Sequence, residues 1–115
     1  MDSMASEISA FIGTTGSVSF VELANRIDGF KGDRSWEVSE KNICLWSGVS
    51  LRAVEAISGL LNTRQIKMTS TDPLVYMCDG GMLNLPIAKQ NRKYKSLRWL
   101  PVVFNRGDKW EKRKG

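Results

Sequence analysis

The tightest constraint in this chain is the run over residues 43–57, Ile-Cys-Leu-Trp-Ser-Gly-Val-Ser-Leu-Arg-Ala-Val-Glu-Ala-Ile. It asks for a bend between two short apolar segments. Gly48 can take a left-handed backbone at the bend. Cys44 is small enough for a second helix to cross a first one, and Val49 can plug the angle between them. Ser50 offers a hydroxyl to the first free amides of the second helix. Val54 and Ile57, four and seven places beyond that cap, would lock the helix down. The spacing predicts a short helix over about 40–46 and a turn at 47–49. A longer helix follows over about 51–62, burying Val54, Ile57 and Leu61 with Ala53 and Leu60 at the flanks.

The rest of the chain punctuates itself around this run. Ser3 can cap a helix over about 4–12, with Ile8, Phe11 and Ile12 on one face. Ser19-Phe20-Val21-Glu22 reads as a capping box opening a second helix over about 20–27, which Asp28-Gly29 ends. Residues 30–38 read as a polar loop carrying Trp36. Beyond 62 the period changes, and 65–69, 74–78 and 82–87 read as strands, with Asp79-Gly80-Gly81 as a tight turn. Residues 97–104 are apolar enough to pack back onto the body, with Pro101 suiting an edge. One domain over 1–104 and a basic, flexible tail over 105–115 are expected.

The 43–57 run resembles the helix-turn-helix of bacterial and phage regulators, and the flanking helices and hairpin are similar to its winged variant. The resemblance implies an α+β, mainly helical fold: a winged helix-turn-helix with four N-terminal helices followed by a small antiparallel β-hairpin or meander. It also implies that the helix after Ser50 enters a DNA major groove. Ser50 and Leu51 would stand at the entrance, and Arg52, Glu55, Ala56, Gly59 and Thr63 on the outer face. Arg52 suits a guanine edge, Glu55 a cytosine amine, and Leu51 or Ala56 a thymine methyl. Lys41 and Arg64 flank the motif, within reach of phosphates. A homodimer is expected from how such modules gain site size.

The charge asymmetry suggests a polyanion partner, nucleic acid first and a membrane surface second, against the alternative of a solvated tail that aids solubility. The chain carries net +5, but residues 1–85 hold seven Lys/Arg against ten Asp/Glu, while residues 86–115 hold ten against two. Lys89, Arg92, Lys93, Lys95 and Arg98 follow the strand region, where they can track a phosphate backbone. Arg106, Lys109, Lys112, Arg113 and Lys114 are expected to add a flexible second grip. Histidine is absent, which removes the commonest general base and zinc ligand; no catalytic motif, cofactor or metal site is expected. The two cysteines, Cys44 and Cys78, are expected to be reduced and buried. The start, Met1-Asp2-Ser3-Met4, is not that of a secretory signal, and no apolar stretch is long enough for a bilayer. A cytoplasmic protein that binds double-stranded DNA is therefore expected, of the transcription-regulator type found in phages or plasmids. The alternatives are an accessory in DNA replication or mobile-element maintenance, and a winged-helix module that binds protein.

Overall fold

The computed structural model describes residues 3–110. Ten elements follow in order: α1 (Ser3–Thr15), α2 (Phe20–Arg26), β1 (Lys31–Val38), a single 3-10 turn (Ser39–Lys41), β2 (Ile43–Val49), α3 (Leu51–Asn62), β3 (Ile66–Ser70), α4 (Pro73–Asp79), β4 (Arg98–Trp99) and β5 (Val102–Arg106). Helices and strands are interleaved. The expected winged helix-turn-helix, with four helices first and a hairpin after, is therefore corrected.

The helices at α1, α2 and α3 form where local chemistry calls for them. Ser19 accepts from the Glu22 amide while the Glu22 carboxylate takes the Ser19 amide, closing the capping box. Ser50 Oγ accepts from the Ala53 amide at 3.1 Å and donates to the Gly29 carbonyl at 2.7 Å. That second bond ties the start of α3 to the end of α2.

The expected helix over 40–46 is instead β2, and the expected loop over 30–38 is its partner β1. The two pair antiparallel, with Trp36 opposite Trp46 and Val38 opposite Ile43. Ser39 and Glu40, which imitate a helix cap in sequence, make the connecting turn, and Asn42 completes it in a left-handed conformation (φ 55°). β2 is the central strand of the order β1-β2-β4, with β4 parallel to it. Ile43, Cys44 and Leu45 are all buried, because a central strand covered on both faces loses the alternation that marks a half-exposed one. Gly48 does adopt a left-handed backbone, φ +93°, but inside a strand that leads into α3, not between two helices.

The second sheet pairs β3 with β5, antiparallel, from Ile66 opposite Arg106 to Ser70 opposite Val102. A bridge from Val18 to Phe104 extends it on the other side of β5. Residues 74–78, expected as a strand, are helical in α4: Asp72 caps it and Pro73 occupies its first turn. Residues 82–87 make no strand beyond an Ile87–Trp99 bridge.

The core joins both sheets to the helices. Met4, Ile8 and Ile12 of α1 and Ala53, Ala56, Ile57 and Leu60 of α3 are buried in it. An aromatic cluster fills the centre: Phe20 meets Phe104 edge-on at 5.2 Å, and Tyr76 meets Trp99 edge-on at 5.1 Å, arrangements that suit ring quadrupoles. Of the two thiols, Cys44 is buried as expected. Cys78 is exposed, which corrects its expected burial. No helix among the described residues is long and apolar enough to cross a membrane.

A candidate nucleic-acid interface on the basic loop

The segment between α4 and β4 carries most of the cations that the structure gathers. From Gly80 to Gly107 the sequence contains no Asp or Glu, and within it stand Lys89, Arg92, Lys93, Lys95 and Arg98. Loop 88–98 is not a loose arm. At its start the Ala88 amide donates to Trp99 O at 2.7 Å, and at its end the Arg98 amide donates to Asn42 O at 2.9 Å. Midway, the Tyr94 amide donates to Lys41 O at 2.9 Å. The left-handed Asn42 turns its side-chain amide onto Tyr94 O at 2.8 Å. Lys41 Nζ donates to Asn91 Oδ1 at 3.0 Å. The turn between β1 and β2 is thus the seat of the loop, and Lys41 joins the five loop cations there. Glu40 is the one acid adjoining Lys41 in sequence.

Tyr94 organises the cluster. Its hydroxyl accepts from the Gln90 amide at 3.1 Å and donates to the Gln90 carbonyl at 3.0 Å. The Arg92 guanidinium carbon lies 4.9 Å from the ring centre and that of Arg98 lies 4.8 Å from it, both within cation–π range. The Gln90 amide on its oxygen, helped by the Arg92 charge, lowers the Tyr94 hydroxyl below the ordinary phenol range. The Arg98 guanidinium donates through Nη1 to the Ile87 carbonyl at 3.2 Å, while its buried Nε has no hydrogen-bond partner among the described residues. Lys89, Arg92, Lys93 and Lys95 are exposed.

The residues expected on the face of α3 divide differently. Leu51, Arg52, Glu55 and Gly59 are exposed, and Ser50 is half-buried at the cap. Arg52 reaches the Ser3 hydroxyl at 3.4 Å. Ala56 is buried, because α1 packs along α3; its expected place on the outer face is corrected. Arg64 is exposed beyond the end of α3, with φ 59°, and its carbonyl accepts from the Lys109 amide at 2.8 Å. It belongs to the β3–β5 end of the fold and makes no contact with the loop cluster among the described residues. Lys41 does belong with Lys89, Arg92, Lys93, Lys95 and Arg98.

Further along, Arg106 Nε donates to the Gly13 carbonyl at 2.8 Å, and its guanidinium lies 4.4 Å from the Trp110 ring centre. Trp110 Nε1 donates to Ser9 O at 3.1 Å, so the chain is packed on α1 as far as Trp110. Lys112, Arg113 and Lys114 lie outside the described residues. Sequence reasoning missed Tyr94, Asn42 and Asn91. The available signal was a lone aromatic with arginines two places before it and four places after. Compared with known proteins, the chain matches no family model, no curated protein and no solved structure.

Proposed function

We propose that this chain is a binding protein for double-stranded DNA whose main grip is on phosphates, through loop 88–98 and Lys41. The observation that carries the reading is the grouping of Lys89, Arg92, Lys93, Lys95 and Arg98 on one loop that the fold holds in place, with Lys41 of the adjoining turn bonded to it. Contacts of this kind supply affinity without sequence choice and make binding steeply dependent on salt. Four to six phosphate contacts correspond to a slope of log affinity against log salt of about −3.5 to −5.5. Base reading, if the chain acts as a regulator of the phage or plasmid type, falls to the outer face of α3, whose charged side chains are Arg52 and Glu55. Action as a homodimer, in the cytoplasm, belongs to the same reading.

The test is fluorescence anisotropy with duplexes of random and native-locus sequence between 50 and 200 mM salt. The joint variant Lys93→Glu, Lys95→Glu weakens binding to every duplex alike. Arg52→Ala reduces preference for one site more than it reduces overall affinity. Retention of DNA at low salt that neither change affects overturns the proposal. A protein-binding role is the second reading, favoured by one observation: Leu74, Met77 and Met82, on and just after α4, are more than half exposed. Such large apolar side chains grouped at a surface mark contact sites.

A further inference from the structure

We propose that loop 88–98 is a preassembled clamp for the backbone of a nucleic-acid duplex, with Tyr94 as its positioning residue. The inference rests on the double-stranded-DNA reading above and specifies how the loop is organised to grip a duplex. Proteins that hold single strands offer exposed aromatic rings on which bases stack. Tyr94 is the aromatic of this loop, and its ring is already engaged by two guanidiniums, at 4.9 and 4.8 Å, while its hydroxyl is held at both Gln90 backbone atoms. The next aromatic, Trp99, is fully buried. The ring of this loop is thus already taken up by cations, and what the loop leaves exposed is charge: Lys89, Arg92, Lys93 and Lys95. A duplex offers phosphates at fixed positions with its bases already stacked, so it matches; a single strand gains nothing from the arrangement beyond charge.

Tyr94 matters because like charges do not gather unaided. Arg92 and Arg98 repel each other, and each has a long side chain to immobilise. Seating both on one ring settles those costs before the ligand arrives, and preorganisation of this sort raises affinity without adding a contact. The backbone of Tyr94 does the same for the loop as a whole, bonded to Lys41 and Asn42 across the turn.

The experiment compares the full chain and its variants for binding to a mixed-sequence 20-base-pair duplex, to one of its strands, and to an oligothymidine of equal length. Binding is measured by anisotropy across a salt series. The duplex is expected to bind at least about fivefold tighter than either single strand. Tyr94→Leu is expected to weaken duplex binding about three- to tenfold while leaving the salt slope unchanged, since every cation remains. Tyr94→Phe, which keeps the ring, recovers most of that loss. Should Tyr94→Leu fail to fold, Arg92→Lys reads the same point: charge and slope are kept, and affinity falls with the stacked guanidinium. An effect of Tyr94→Leu on the duplex no larger than on single strands overturns the clamp alone, and tighter binding of a single strand overturns the clamp together with the double-stranded reading. No binding to any of the three at the lowest salt overturns the DNA-binding reading itself, and the clamp with it.

Discussion

Tyr76→Phe removes one oxygen from the centre of the protein and is expected to cost far more than the loss of one average hydrogen bond. Tyr76 lies on α4 and is fully buried. Its hydroxyl accepts from the Phe20 amide at 3.1 Å and donates to the Val102 carbonyl at 2.6 Å. One atom thus joins the start of α2, the short helix α4 and the start of β5. Phenylalanine keeps the ring against Trp46 and Trp99, so the hydroxyl alone is tested. Its loss leaves a buried donor and a weakened buried acceptor, each worth about 1–3 kcal/mol. The expected destabilisation is about 2–4 kcal/mol, a large share of the roughly 5–15 kcal/mol that holds such a domain folded. Urea titration followed by tryptophan fluorescence measures it directly. The pH dependence supplies an independent reading. Burial pushes the Tyr76 hydroxyl well above the ordinary phenol range, although its two backbone bonds pull the other way. The folded state then holds its proton where the unfolded chain, titrating near pH 10, has released it. Stability from this source is intact below about pH 10 and is lost as pH rises above it. Tyr76→Phe is expected to flatten that alkaline decline. A loss under about 1 kcal/mol, with the alkaline slope unchanged, would refute the account of Tyr76 as a buried tie.

Two further outcomes test the placement of other residues. Gly59→Ala is expected to stabilise the protein by about 0.5–1 kcal/mol, because Gly59 sits within α3 and an added Cβ meets nothing within 4 Å; a lower urea midpoint would contradict its exposure. Under native conditions near pH 8 a thiol reagent is expected to label Cys78 quickly and Cys44 only after unfolding, since Cys78 is exposed while burial raises the Cys44 thiol; equal labelling rates would show that β2 is not covered.

What could be read in the sequence was what is decided locally. The capping box at Ser19 and Glu22 and the Ser50 cap each involve residues within one helical turn, and both form, whereas the expected stripe of α3 is shifted: Ala53, Ala56, Ile57 and Leu60 are buried while Val54 and Leu61 are only half-buried. The strand β2 was hidden because what surrounds it is set by distant parts of the chain. β1 precedes it through a short turn, but β4 arrives more than fifty residues later, and burial of Ile43, Cys44 and Leu45 on both faces erases the period of two. Ser39-Glu40 then supplied a false helix start. In α4, Leu74-Val75-Tyr76-Met77 favours a strand by composition, yet Asp72-Pro73 is the signature of a helix N-terminus, and it prevailed. Ala56 was misplaced because a single stripe was assigned to α3, which in fact buries a broader face against α1. At the candidate site the cations were visible as a run. Their assembly around Tyr94 and Lys41 was not, since Lys41 and Asn91 are fifty positions apart.

That separation bears on how such a site would act. A basic tail releases the same counterions as a basic loop when it meets phosphates, but it must be ordered at the moment of binding. Loop 88–98 has been ordered by the fold, through Asn42, Lys41 and the Trp99 backbone, so on the proposed reading its charges would meet a rigid ligand without that expense. The same logic places the two ends of β2 in different roles. One end leads into α3 and its sparse outer face, the other into the turn that seats the loop. Seven residues of strand span about 20–25 Å, well over half of a helical turn of duplex at about 34 Å. Contacts from both ends on one DNA would therefore fall at clearly separated points along it. The loop would set position on the backbone, and α3 would be left to read whatever bases that position brings within reach.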